Sequence, residues 1–375
     1  MKRSARLVFL ATVSLPLLLG LSAGAGSGSL AKAKPMKPHT LVIDKGQIRS
    51  FAQDAHSIAW IGQGYKVHVR SLLIGRSAIV GSARPSIGVG GPAPALALAG
   101  TRALWTRFEG GNNPETSLWT SSLGDVPIQI DLFVGSSGDP GGLFLAGVAG
   151  DGPMLLYGAT SEGCYPPPWP PAPCPTLEAR GGVVTVTGQY EQPPISGIPA
   201  PVMIAFAAHN PQSGQISQGL LAVAPAASPL VSDLGNVPRV AENGPVQVYW
   251  FLNKTVLLSS VAPRGTVMAI ALSFAELAVL VQRADGTKAI ERYDPHGGTL
   301  IGTTSVPKAT ASELSTNSAG TVYRVGRKIY LLAGGAPKLV WKAAGTPIGL
   351  SIESKRIAWA VDLKGRGRVV ALTLR

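Results

Sequence analysis

The chain has 375 residues, a formal net charge of +13, 14% charged residues, 46 glycines, 31 prolines and two cysteines. Three of the positive charges (Lys2, Arg3, Arg6) fall in the first 25 residues and a net four lie between Gly26 and Ser50, which leaves +6 for the rest. So small an excess, with no basic stripe interleaved with aromatics, excludes a nucleic-acid binder, and a glycine- and proline-rich chain with few charges reads as many short strands and tight turns rather than helices.

Residues 1–25 read as a secretory signal peptide: a basic start, a 15-residue apolar run from Leu7 to Leu21, and Ala23-Gly24-Ala25 as an A-x-A cleavage site. The run is shorter than the roughly 20 residues of a membrane span. No transmembrane span is therefore expected after signal removal, and the location is secreted or extracytoplasmic. Residues 26–38, rich in Gly, Ser, Lys and Pro, are expected to form a disordered leader. Residues 39–375 remain for one domain.

In that domain a pattern recurs. First-strand segments begin near Ser50, Ala95, Gly142, Pro201, Thr266, Ala311 and Pro347, at steps of 45, 47, 59, 65, 45 and 36 residues, where a four-stranded propeller blade takes about 40 to 50. Each is followed by an apolar second strand: SIAWI, RALWT, PMLLY, GLLAV, ELAVLV, TVYRV and RIAWAV. Third strands read as KVHVRSL, TSLWTSSL, PTLEAR, PVQVYWF, KAIERY, KIYLL and RVVALTLR, and outer strands as SAIVG, VPIQIDLF, VVTVTG, TVLLSSV, TLIGTT and PKLVWK. The one helix-like stretch, Thr266 to Gln282, reads better as strand, turn, strand because it continues through Asp285-Gly286 into KAIERY. The prediction is all-β: a seven-bladed β-propeller of four-stranded antiparallel blades. The seventh blade lacks an outer strand, and TLVID (Thr40 to Asp44) is expected to supply it by pairing with RVVALTLR, closing the ring. Blades 3 and 4 are irregular, and a different division of Val183 to Pro245 would give six or eight.

The segment Ser351 to Trp359, S-x-E-x-x-x-I-A-W, is echoed more loosely by Ala52 to Trp60, so that Glu353 and Asp54 occupy equivalent places. These segments resemble the repeats of TolB-like and related bacterial β-propellers, a WD-repeat-like superfamily; the chain departs from WD repeats because no Trp is followed by Asp, and from kelch repeats because its Gly-Gly pairs lack the spaced Tyr and Trp. The resemblance implies a scaffold for binding and carries over no catalytic residue.

The long segments map to one face of such a disc. FEGGNNPETS, TSEGCYPPPWPPAPC and Ala224 to Gly244 join second to third strands, and residues 82–94, 135–142 and 190–200 cross between blades in the same sector. Long loops on a rigid scaffold are the usual place for recognition, so Glu109, Asn112, Asn113, Glu162, Tyr165, Trp169, Tyr190 and Glu191 are the candidate ligand contacts. The opposite face carries tight turns, with HNPQSGQISQ the exception. Cys164 and Cys174 bracket YPPPWPPAP, and in an oxidising compartment they are expected to close that loop as a disulfide.

Catalytic signatures are missing. The one G-x-S-x-G (Gly20 to Gly24) lies in the signal segment, there is no phosphate-binding loop, and His39, His56, His68, His209 and His296 are scattered, so no metal site and no cofactor are implied. Asp54 and Glu353 are read as acceptors for backbone donors in their turns, and the repeated tryptophans as core. The function that follows is an exported, monomeric binding or interaction scaffold for a protein, peptide or cell-wall polymer on the long-loop face. The alternatives are a propeller enzyme, a lactonase-like hydrolase or lyase with an axial site, and a structural surface protein without a small ligand. Converging Asp, Glu, His or Asn at the channel mouth would favour the enzyme; an aromatic shelf on the looped face would favour binding.

Overall fold

The structure is a computed structural model that describes residues 37–86, 93–110, 115–134, 143–162, 177–191, 198–208, 219–227, 240–251, 255–306 and 311–374. Among the described residues twenty-eight strands make seven four-stranded antiparallel sheets. Blade 1 is β2 (Ser50–Asp54), β3 (Ser57–Ile61), β4 (Lys66–Ser71) and β5 (Ser77–Ser82); blade 2 is β6 (Leu96–Ala99), β7 (Arg102–Gly110), β8 (Glu115–Ser122) and β9 (Ile128–Val134). Blade 3 is β10 (Leu143–Asp151), β11 (Met154–Glu162), β12 (Leu177–Thr185) and β13 (Tyr190–Glu191); blade 4 is β14 (Pro201–Ala208), β15 (Gly219–Pro225), β16 (Val246–Phe251) and β17 (Thr255–Val261). Blade 5 is β18 (Thr266–Leu272), β19 (Leu277–Gln282), β20 (Lys288–Tyr293) and β21 (Leu300–Val306); blade 6 is β22 (Ala311–Asn317), β23 (Gly320–Val325), β24 (Lys328–Leu332) and β25 (Lys338–Lys342). Blade 7 takes β26 (Ile348–Glu353), β27 (Arg356–Leu363) and β28 (Arg366–Thr373) from the end of the chain and β1 (His39–Ile43) from its start.

The seven-bladed ring and its closure are as the repeat predicts. β1 lies antiparallel on β28 with His39 opposite Ala371 and Ile43 opposite Arg368, and the Asp44 amide donates to the Gly367 carbonyl at 2.8 Å. His39, the first residue of the expected domain, opens this strand. Among the described residues the only helical turn is a 3-10 turn at Gln63–Tyr65, and no helix is long and apolar enough to cross a membrane. The stretch Thr266 to Gln282 is a hairpin, as read.

Burial explains the strand patterns. Second strands carry a buried apolar run, and all five residues of β3 are buried. Outer strands are more exposed, and β5 mixes exposed with buried positions along its length. The repeated tryptophans plug the seams between blades: Trp60 packs with Ala358, Val369 and Ala371 of blade 7, Trp105 with Val67 and Val69 of blade 1, and Trp359 with Val322 and Ile329 of blade 6.

Blade 3 differs from its sequence reading. VVTVTG was expected as the outer strand, but Val183 to Thr185 continue the third strand without a break, and the outer strand is the short β13. The Gly181-Gly182 pair, which looks like a turn, is strand. A Cβ on Gly182 would lie 2.7 Å from the Tyr157 ring and 2.8 Å from the Tyr190 ring, so the glycine makes room for that aromatic pair.

A second glycine is fixed by geometry at the seam of blades 7 and 1. Gly349 has φ +63, and a Cβ there would lie 2.5 Å from the Phe51 carbonyl oxygen. Its amide and that of Leu350 donate to the Glu313 carboxylate of blade 6 at 3.2 and 3.3 Å. Gly349→Ala is expected to cost about 2 kcal/mol, read as a lower urea midpoint at unchanged slope.

Candidate axial carboxylate site

The innermost strands of all seven blades line an axial cavity of about 330 Å3. Its lining mixes apolar residues, Leu98, Val148, Ile204 and Leu350 among them, with Gln53, Thr316 and Ser351, and the surface it exposes is mostly polar. Three of the innermost strands end in an acid: β2 in Asp54, β10 in Asp151 and β26 in Glu353. Each is followed by a tight turn to the second strand, so all three carboxylates stand at the mouth of the channel on the tight-turn face. Their oxygens come within 4.8 Å of one another although they arrive from blades 1, 3 and 7.

Asp54 is buried and accepts from the amide of Ala55 at 2.6 Å and from that of Gly100 in blade 2. Its role as acceptor for backbone donors is thus as read from the sequence. Asp151 accepts from the amide of Ala208 in blade 4 at 2.8 Å. Arg356, whose charge acts on Asp54 and Glu353, is held by blade 1: it donates to the Gln53 side chain at 2.9 Å and to the carbonyls of Ala55 and Asp54 at 3.2 and 2.7 Å.

Proton affinities record the crowding. Burial raises Asp54 above the ordinary carboxylate range, against the pull of its two amide donors. Burial and the Asp54 charge push Asp151 up to about 6. Burial, with Asp151 and Asp54 close by, pushes Glu353 up to about 7 while Arg356 draws it down. Three oxygen-bearing acids in a half-buried mouth hold shared protons or a hard, oxygen-seeking cation far better than three bare charges. Two carboxyls that titrate near neutrality also suit general acid and base work.

The residues proposed from the long loops fare differently. Asn112, Asn113, Tyr165 and Trp169 lie outside the described residues, as do Cys164 and Cys174; Glu162 and Glu191 are placed as strand residues only. Glu109 is held within its own face by the hydroxyls of Ser86 and Ser117 and by Arg107 at 3.2 Å. Tyr190 shares a 2.7 Å hydrogen bond with Tyr157, whose hydroxyl donates to Asp131 at 2.6 Å. His68 lies against Trp60, ring centroids 4.7 Å apart, beside Asp44.

No protein-family model matches the chain, and no curated protein matches it. Solved structures with a similar outline include YCF48 bound to D1 peptide, at 11% identity and a TM-score of 0.49, covering 92% of this chain and 98% of that one. Sqt1 of Saccharomyces cerevisiae is 11% identical at a TM-score of 0.48, over 90% of this chain and all of that one. The WD40 β-propeller domain of Doa1 is 12% identical at 0.47, over 89% and 96%.

Proposed function

We propose that the protein is an exported binding scaffold whose axial mouth takes the positively charged part of its ligand, a divalent cation being the simplest case. The observation that carries this is the convergence of Asp54, Asp151 and Glu353 at the mouth of the axial cavity. Oxygens up to 4.8 Å apart can share one ion, because two calcium–oxygen bonds of about 2.3–2.6 Å span that distance. All-carboxylate donors favour calcium or magnesium over softer metals. The long-loop face remains the proposed surface for a protein, peptide or wall polymer.

Thermal shift with calcium, magnesium and methylammonium at pH 8 tests the axial reading. Calcium at millimolar concentration is expected to raise the melting temperature of the wild type by several degrees and that of Glu353→Gln by less than a third as much. Equal shifts in both proteins, or none with any of the three cations, would sink it. A second reading, a hydrolase or lyase, is favoured by the same convergence of acids at the channel mouth and by the near-neutral carboxyl pair; it requires turnover of ester or lactone substrates that Asp151→Asn abolishes.

A further inference from the structure

On the opposite face, where the innermost strands begin, a separate cleft of about 250 Å3 opens between blades 1 and 2. Phe108, Pro85, Pro94 and Ile348 form its apolar walls, and Thr106 and Thr116 add hydroxyls. One charged side chain lines it: Arg49, exposed, with its guanidinium carbon 4.0 Å from the centre of the Tyr65 ring. Among the described residues no acceptor is seen to take the Arg49 side-chain donors. The neighbouring Arg107 is neutralised, donating to Ser86 at 2.6 Å and pairing with Glu109 at 3.2 Å. The cleft therefore has one uncompensated positive charge, stacked so that its N–H edges are free to fork around an anion.

The backbone beneath that charge is strained. Tyr65 has φ +61 directly after Gly64 at +66. The left-handed region costs a non-glycine residue about 1–2 kcal/mol, and such strain persists where the surroundings hold it, often at ligand contacts. Here it sets the ring under Arg49 and against the blade 1–2 core, which Tyr65 also touches. The carbonyl of Tyr65 accepts from Ala83 at 2.9 Å, which fixes the turn to the crossing that carries Pro85.

We propose that this cleft captures the C-terminal carboxylate of an extended peptide whose last side chain is apolar. Arg49 would take the carboxylate in a two-pronged hydrogen bond, and Phe108 and Ile348 would receive the side chain. The volume is below the roughly 300–1,000 Å3 of drug-sized pockets, so it suits one or two residues rather than a folded surface. Capture of a chain terminus is a recurring mode of peptide recognition, and a guanidinium fork matches a carboxylate's two oxygens. The proposal stands independently of the axial carboxylates.

The test uses N-acetyl-Phe-Leu with a free carboxylate, the same dipeptide as its C-terminal amide, and hexanoate, each titrated into the folded protein by calorimetry or ligand-observed NMR. The acid is expected to bind saturably, with the amide and hexanoate each at least tenfold weaker. Arg49→Gln should weaken the acid at least tenfold, with the melting temperature unchanged within 2 °C, and Arg49→Lys should recover only part. Equal binding of acid and amide, or an unaffected Arg49→Gln, would overturn the proposal. Equal binding of hexanoate would make the cleft a general organic-anion site and remove the peptide from it.

Discussion

Between pH 5.5 and pH 8 the melting temperature of the wild type is expected to fall by about 3 to 4 °C, and Glu353→Gln is expected to flatten most of that fall and Asp151→Asn a smaller part. Both carboxyls hold their protons more tightly in the folded protein than in the unfolded chain, at about 7 for Glu353 and about 6 for Asp151. A group raised on folding adds stability below its unfolded value, and that stability is lost as pH climbs through the folded value. At about 1.4 kcal/mol for each tenfold change in proton affinity, the two acids withdraw about 2 to 3 kcal/mol between pH 5.5 and pH 8, their mutual repulsion counted once. An unfolding entropy of about 2.1 cal/mol/K per residue turns that into the stated range. His68 acts in the other direction: burial lowers it, so its contribution is present above its ordinary value and fades as pH drops. Because it is common to wild type and variants, the difference between their curves isolates the carboxyls. At pH 8 Glu353→Gln should melt above the wild type. Parallel curves would show that folding does not raise these carboxyls.

The second large effect is expected at the ring closure. Removing residues 39–44 should lower the melting temperature by about 8 °C or more, while removing residues 26–38 should leave it nearly unchanged; equal effects would argue against closure by β1. Much of the loss traces to Asp44, which is buried and ends the closing segment. Its carboxylate accepts from the Trp60 indole at 2.8 Å and from the amides of Gly46 and Gln63 at 2.9 and 3.3 Å, with His68 at 3.9 Å. These donors, with His68 beside it, hold Asp44 below the usual carboxylate range even though burial alone would raise it. Asp44→Ala strands the indole and two amides, which should cost about 3 kcal/mol or more. Gly62→Ala should approach the same loss, since its Cβ would fall on the Asp44 carboxylate.

The scaffold was legible because burial on both faces writes itself as apolar runs such as SIAWI and RIAWAV, and because a missing outer strand has one apolar candidate at the other end of the chain. Blade 3 was misdivided because a glycine pair that clears space for two tyrosines has the same sequence as a turn. The axial acids were half visible. Asp54 and Glu353 had been placed in equivalent positions, which in a ring means the same height on the axis. Asp151 occupies that height too, three residues before its second strand like the other two, but Ala-Gly-Asp-Gly carries none of the flanking pattern. Nothing local says that blades 1, 3 and 7 bring these side chains within an ion's reach. The cleft around Arg49 was invisible for a related reason, since its lining comes from seven separate stretches of chain, none with a motif.

The clasp between β1 and β28 also sets an order of events. A polypeptide delivered from its amino end holds β1 ready while some 320 further residues are still to come, and no intermediate length can fasten the circle. Blades can stack as they emerge, yet the last seam stays open until the final strand is released, so completion is a step that follows synthesis rather than accompanies it.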